Sequence, residues 1–278
     1  MEYRTYRSQK KRRHWWLVIA LVLAVVLYIG IDTKWELDAK DTVSTFAEKL
    51  LASSGIGDRK LPIYSVDCKD KKIAITFDAA WGAEDFSRII EILDKHKVKA
   101  TFFMTGDWVD NYPDCVEVLV QKGHDLGNHT DHHYDMTTLS KEEMKSELNA
   151  VKDKIKSLTG YEINLFRPPY GAYDNAVIEV AEELQYYSIQ WSVDSLDWKD
   201  YGKDSIIKTV CQHEALGPGA IILCHNGAKY TADALDEMLT KLEDEGYEFV
   251  PVSELIIKEN YHMDATGKQV GDSTEKHD

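Results

Sequence analysis

The chain has 278 residues, 44% of them hydrophobic and 29% charged, with a net charge of -15. That supplies one sizeable core, and the length favours one larger α/β domain with appendages over two domains. Residues 1–31 hold six basic residues and one acid, a surplus of five positive charges that leaves about -20 on the remainder. So acidic a body argues against nucleic acid as a partner, because that affinity rests on cations that neutralise phosphates.

The N-terminal asymmetry comes from "KKRRHWWLVIALVLAVVLYIGID". Residues 15–31 are uncharged, a basic cluster precedes them and Asp32 follows, which is the pattern of a short membrane-spanning segment. The positive-inside rule then places residues 1–14 in the cytoplasm and the bulk of the chain outside the cell membrane, as a single-pass protein. Trp15, Trp16, Tyr28 and Trp35 suit the interfacial belts. A cleaved signal peptide is the rival reading, but "VLYIGIDTKW" has no clear small-x-small site. Residues 32–70 read as a stalk.

From Lys71 the pattern becomes regular. Strand-like runs "KIAITFD", "KATFFMTG", "HDLGNHT", "NLFRPP", "YYSIQWSVD", "AIILCH" and "YEFVPVS" alternate with helix-period segments such as "EDFSRIIEILDKHKV", "SKEEMKSELNAVKDKIKSL", "NAVIEVAEEL" and "ADALDEMLTKLEDEG". Strand then helix, repeated about seven times, predicts a parallel α/β sheet with right-handed crossovers, either closed into a TIM-like barrel or left open. No G-x-G-x-x-G or Walker sequence follows a strand, so nucleotide binding has no support. The tail after Lys258 is polar and reads as mobile. Four widely spaced cysteines, Cys68, Cys115, Cys211 and Cys224, make no zinc pattern and read as small buried hydrophobes.

Period-2 alternation puts Ile73, Ile75 and Phe77 on one face of the first strand, with Ala74, Thr76 and Asp78 on the other. In "SIQWSVD" it sets Ser188, Gln190, Ser192 and Asp194 against Ile189, Trp191 and Val193. Polar inward faces that end in acids at strand C-termini are where barrel enzymes keep their chemistry. Four segments add to Asp78. "GNHTDHH" places His129 and His133 four apart, so that on a helical turn both imidazoles face one divalent metal, with His132 as a rival ligand. "FRPPYG" holds Arg167 at a rigid strand end, where its guanidinium can fork onto a carboxylate. "VDSLDW" supplies two acids and a tryptophan, and "ILCH" ends the sixth strand in His225.

Taken together and in this order, these segments resemble the polysaccharide deacetylase or NodB-homology family, carbohydrate esterase family four, over roughly residues 70–255. The resemblance implies an enzyme that removes N-acetyl groups from aminosugar polymers on a distorted TIM-like (β/α)7 barrel. It also implies a divalent metal, zinc or else cobalt or manganese, on His129 and His133. Asp78 matches the general base and Arg167 the residue that orients it. His225 matches the general acid and Asp194 the acid paired with it. The backbone N–H of Tyr170 matches the oxyanion donor, Trp198 lines the sugar groove with Trp81 beside it, and Leu223 shapes the acetyl pocket.

An anchored, outward-facing member with "TFDAAWG" is similar to the peptidoglycan deacetylases of spore-forming Gram-positive bacteria. The implied partner is a cell-wall glycan, either N-acetylglucosamine or N-acetylmuramic acid in peptidoglycan, met by a monomer. Chitin oligomers are the alternative substrate. The implied organisation is a basic terminus 1–14, an anchor 15–31, a stalk 32–70, a deacetylase domain 71–257 and a tail 258–278.

One position departs from the family. The base is usually followed by a second, metal-binding aspartate, and here that residue is Ala79. Water, Asp131 or His132 could fill the gap, Asp78 could ligate the metal itself, or the protein could bind glycan without cleaving it.

Overall fold

The computed structural model describes residues 59–272. The expected basic terminus and membrane segment, the stalk as far as residue 58, and residues 273–278 lie outside the described residues. Among the described residues no helix is long and apolar enough to cross a membrane.

In chain order, β1 (Ser65–Val66) and β2 (Lys72–Ala79) precede α1 (Phe86–His96), and β3 (Thr101–Met104) leads to α2 (Gly106–Asn111) and α3 (Pro113–Gln121). Next come β4 (Asp125–Asn128), α4 (Lys141–Thr159), β5 (Leu165–Phe166), α5 (Asn175–Glu183), β6 (Tyr187–Ser188) and β7 (Val193–Asp194). The chain continues through α6 (Lys203–Cys211), β8 (Ile221–His225), α7 (Thr231–Asp244), β9 (Glu248–Phe249), α8 (Val252–Leu255), β10 (Tyr261–Met263) and β11 (Lys268–Gly271).

The main sheet runs β6-β5-β4-β3-β2-β8-β7, with β9 paired to the start of β2, and every pairing in it is parallel. The single strand expected over "YYSIQWSVD" is broken. Its first half pairs with β5 and its second half with β8, so this bent segment joins the two edges of the sheet. Ile63 bridges Ile189 at the bend, and Ser65 bridges Ala220. The result is a distorted parallel barrel, closed by a kinked strand and a short N-terminal patch.

β2 shows why alternation works as a guide. Ile73, Ile75 and Phe77 enter the large apolar layer between sheet and helices. Ala74 faces the barrel interior with Phe103, Leu165 and Ile221. Further up that inner face Thr76 and Asp78 are buried polar residues. The interior is therefore apolar at its base and polar at the C-terminal ends of the strands. The surrounding helices follow their local signals: α4 begins with a reciprocal capping box between Ser140 and Glu143 and ends at Gly160 in the left-handed conformation.

Two expected boundaries move. Residues 60–70 are not stalk, because Lys60 onward belongs to the compact unit and Ile63 and Val66 are buried in the barrel interior. Residues after 258 are not a loose tail either. β10 and β11 form a hairpin, and β11 pairs with β1. Its turn is set by Asp264, which accepts from the backbone of Thr266 and Lys268, and by Gly267 at φ 81. Buried Gln269 completes it by bonding both backbone groups of Ile257. The four cysteines are free thiols, and of these only Cys224 is fully buried.

His96 fastens α1 to α7. Its Nδ1 lies 2.8 Å from Glu243 and its Nε2 2.8 Å from Asp236. Two carboxylates can both accept only from a doubly protonated imidazole. Burial opposes that charge, but the two hydrogen bonds outweigh it and raise the pKa above the ordinary 6.5. A raised folded-state pKa gives stability that is complete below the unfolded value and lost as pH rises through the folded one. Thermal melts between about pH 5.5 and 8.5 will therefore show wild type losing its advantage over His96→Gln as pH rises. An advantage that does not change with pH would mean a neutral ring.

Candidate active site

A cavity of about 380 Å³ opens at the C-terminal ends of the strands, and Asp78, His129, His133, Leu223 and His225 are among the residues that line it. Strand register brings its two ionisable sides together. Asp78 is the cross-strand neighbour of His225 in the parallel pair of β2 and β8, so both side chains leave the same face of the sheet.

Beneath the cavity lies Arg167, with no exposed surface. Its Nη1 donates to Asp78 Oδ1 at 2.7 Å and to Thr76 Oγ1 at 2.8 Å, and Nη2 donates to the Gln190 carbonyl at 3.1 Å. The guanidinium carbon sits 4.1 Å from the Phe103 ring centroid. Gly127 makes that arrangement possible, since a Cβ there would come within 2.4 Å of the Phe103 ring. Burial works against the charge of Asp78, but Arg167, with His129 and His225, holds its pKa below the ordinary carboxylate value. Asp78 is thus ionised and carries a second oxygen, Oδ2, 3.6 Å from His129 Nε2.

His129 follows β4 directly. Its Nδ1 lies 2.8 Å from the Arg167 carbonyl. A carbonyl only accepts, so Nδ1 carries the proton and Nε2 presents its lone pair toward Asp78. The His133 ring lies 4.9 Å from that of His129. No helical turn produces this approach. The segment is a bent loop in which Thr130 and His133 take φ of 68 and 58, braced where Thr130 Oγ1 accepts from the His133 N–H. Burial lowers both imidazole pKa values, that of His133 to about 4, so both rings are in the neutral form that binds metals.

The donors fit a divalent ion in kind, as two neutral imidazoles beside a carboxylate oxygen, and in the backbone acceptor that orients His129. They fall short in number. Among the described residues no group of three or more histidine, cysteine or acidic side chains is arranged to hold a metal. Neither expected substitute for Ala79 serves. Asp131 is bonded to Lys154 at 2.6 Å, and His132 is turned onto Glu147, which accepts at 2.9 Å from both its ring and its backbone N–H. Ala79 itself is fully buried in the layer of Phe77 and Ile75.

The partner of His225 is Asp197, not Asp194. Asp197 Oδ1 lies 2.7 Å from His225 Nδ1, and its Oδ2 accepts from the His225 N–H and the Thr231 hydroxyl, each at 2.7 Å. Asp194 instead accepts from the Leu196 N–H at 2.8 Å and lines the cavity wall. Leu196 takes φ 55, and this turns the chain so that the later acid points back under the histidine. Burial opposes the charge on His225, yet the hydrogen bond and charge of Asp197 raise its pKa above 6.5. The second acid of "VDSLDW" was the available signal.

The remaining expected residues gather around the opening. Trp81, Trp198 and Tyr170 are exposed by 54%, 53% and 70% and all three line the cavity. The Trp81 ring centroid lies 5.7 Å from that of His225. Tyr170 takes φ 60 in a one-turn helix over Pro169–Gly171, and its N–H makes no intramolecular hydrogen bond among the described residues. Leu223, nearly buried, forms part of the wall.

Two contributors were not visible in the sequence. Trp191, expected on the outward apolar face, lines the cavity because the strand bends there. Asn226, fully buried, donates to the Gly82 carbonyl at 2.6 Å while its N–H donates to Asp78 O. Trp108 Nε1 reaches the same Gly82 carbonyl at 3.2 Å. These bonds fix the turn that carries Trp81.

Comparison with known proteins gives a consistent set of matches. The family model described as polysaccharide deacetylase matches residues 65–189. The peptidoglycan-N-acetylmuramic acid deacetylase PdaA of Bacillus subtilis is 33% identical over 72% of this chain and 77% of its own length. Its solved structure, described as a family 4 carbohydrate esterase, superposes with a TM-score of 0.65 over 70% of this chain and 84% of that one. A CE4 family pseudoenzyme from Bacillus anthracis is 35% identical, with a TM-score of 0.67 over 75% of this chain and 70% of its own. A mutant of it with restored enzymatic activity has also been solved.

Removing a partner from a buried ion pair costs about 3–5 kcal/mol. Urea unfolding of Asp78→Ala will show a loss in that range, because Arg167 is left charged with no exposure. Asp78→Asn will lose less, since the amide oxygen still accepts. Equal losses in that range would mean that the amide oxygen does not replace the carboxylate, and negligible losses that Gln190 and Thr76 alone satisfy the guanidinium.

Proposed function

Because the chain belongs to the polysaccharide deacetylase family, we propose that it is a hydrolase that removes N-acetyl groups from a cell-wall aminosugar polymer. The observation that carries this reading is the opposed pair on one cavity. Asp78 is held ionised and His225 is biased toward its protonated form. Two groups pushed to opposite protonation states are what amide hydrolysis needs from its base and acid.

Members of this family generally use a divalent metal. Here His129 and His133 would hold it, and when bound it would polarise the acetyl carbonyl and acidify a water. Asp78 accepts a proton from the attacking water through Oδ2, while Arg167 keeps Oδ1 engaged and the carboxylate in place. The water oxygen bonds to the acetyl carbon, and the Tyr170 N–H donates to the carbonyl oxygen as it gains charge. His225, held through Nδ1 by Asp197, gives the Nε2 proton to the sugar nitrogen as the C–N bond breaks. Acetate and a free amine result. Trp81 and Trp198 offer ring faces to the sugars. The proposal includes the outward orientation expected from the N-terminal segment, which would bring the site to the wall.

A second reading has a specific observation behind it. Ala79 is sealed in the apolar layer and both possible replacement ligands are engaged elsewhere, so the metal would be held weakly. The domain would then bind glycan without turnover, as fits its similarity to a chain described as a pseudoenzyme.

Acetate release from peptidoglycan, titrated with Zn²⁺, Co²⁺ and Mn²⁺, separates the two. The deacetylase reading expects metal-saturable release that Asp78→Asn and His225→Ala abolish, with half-saturation at least about tenfold higher in metal than for Ala79→Asp. No release from wild type at any metal concentration, together with release from Ala79→Asp, would establish the binding reading.

A further inference from the structure

We propose that Trp198, Lys199 and Tyr201 form a shelf beside the cavity that binds a carboxylate on the sugar next to the one under attack. This rests on the reading of the cavity as an aminosugar site. Trp198 and Tyr201 are exposed by 53% and 68%, and Trp198 is shared with the cavity lining. The Lys199 ammonium lies between them, 4.9 Å from the Trp198 ring centroid and 6.0 Å from that of Tyr201.

Some lysines of the domain end on carboxylates, as Lys95 does on Asp236, Lys122 on Asp94, Lys141 on Glu179 and Lys145 on Glu183. Lys199 is one of several that do not, and the one that stands between two exposed rings at the cavity mouth. Lys199 makes no ion pair among the described residues, although Asp200 is its neighbour in the chain. Ring faces attract its charge but offer no lone pair in the plane of a hydrogen bond. Its three N–H donors therefore remain available, beside aromatic surfaces suited to a sugar ring. A lone ammonium, without the fork of an arginine, matches a single negative charge.

The shelf is also built rigidly. Asp197–Lys199 is a single 3₁₀ turn with left-handed residues at both ends, Leu196 at φ 55 and Asp200 at φ 56. Neither is glycine, so both conformations are held by the surrounding structure. The turn is held by the buried carboxylate of Asp197, which also holds His225. One anchor thus sets the acid and the shelf in fixed relation. The substrate class that follows is a glycan alternating neutral and carboxylate-bearing aminosugars, as in a wall strand whose lactyl carboxyl is free.

The test measures affinities of the full-length chain in the Asp78→Asn background, which stops turnover. Three tetrasaccharides serve as probes: a neutral chitin oligomer, a peptide-free muramic acid oligomer, and the same oligomer with its lactyl carboxyl amide-linked to peptide. At low salt the peptide-free oligomer will bind about three- to fivefold more tightly than the neutral one, and the difference will shrink in high salt. Lys199→Met will abolish the preference and Lys199→Arg will keep it. Equal affinity for the neutral and peptide-free oligomers, or a preference that survives Lys199→Met, overturns the shelf. A gain seen only with the peptide-linked oligomer overturns the assignment to a sugar-borne carboxylate. Acetate release by wild type judges the parent reading separately, because an inactive chain that keeps the Lys199-dependent preference still has the shelf.

Discussion

A guanidinium with no access to water has to be neutralised where it stands, and in this fold the neutralising group is the carboxylate that faces the cavity. Arg167 joins β2 through Thr76 and Asp78 to the closing segment through the Gln190 carbonyl. It leaves from the end of β5 and rests on Phe103 of β3. One charged side chain thus links β2, β3, β5 and the closing segment and holds Asp78 ionised. Replacing such a pair with apolar residues can be neutral for stability, so its value here lies in what it fixes. The barrel interior cannot relax without freeing Asp78, whose Oδ1 is tied to Arg167 while Oδ2 is left to the cavity.

The opposite side of the cavity is less complete. Ala79, the last residue of β2 and next to Asp78, packs with Phe77 and Ile75. The vacant ligand position therefore leaves no gap in the packing. Asp131 and His132, which stand between His129 and His133 in sequence, are drawn away by Lys154 and Glu147. What remains is a cavity in which Asp78 and His225 keep their charge partners while His129 and His133 lack a further donor, in a chain similar both to proteins described as deacetylases and to one described as a pseudoenzyme.

Much of this was legible because period-2 patterns and strand ends are local properties. Asp78, His129, Arg167 and His225 each close a strand, and the sequence order of those strands reproduces their gathering at one end of a parallel sheet. The pairing of His225 was not legible. Asp194 and Asp197 are three residues apart, and the choice between them is made by a leucine in the left-handed region, which residue type alone would disfavour. Five non-glycine residues with positive φ, namely Thr130, His133, Tyr170, Leu196 and Asp200, lie in the loops that shape the cavity. Loops held in strained conformations by distant partners give no periodic signal. The bend that turns Trp191 into the cavity and the docking of β11 on β1 escaped for a related reason. Each depends on a pairing between chain segments far apart in sequence.

Such pairing bears on how the domain is made. β1 forms near the start of the folded region, yet its partner β11 lies about two hundred residues later, and its neighbours Ile189 and Ala220 also arrive late. During synthesis the strand that emerges first has nothing to pair with until nearly the whole domain has followed. The early parallel units can pair as they emerge, whereas the small sheet of β1, β11 and β10 waits for the end of the domain. The first strand of the domain is thus the last to gain its strand partner, and a chain that ends before residue 268 leaves β1 unpaired along that edge.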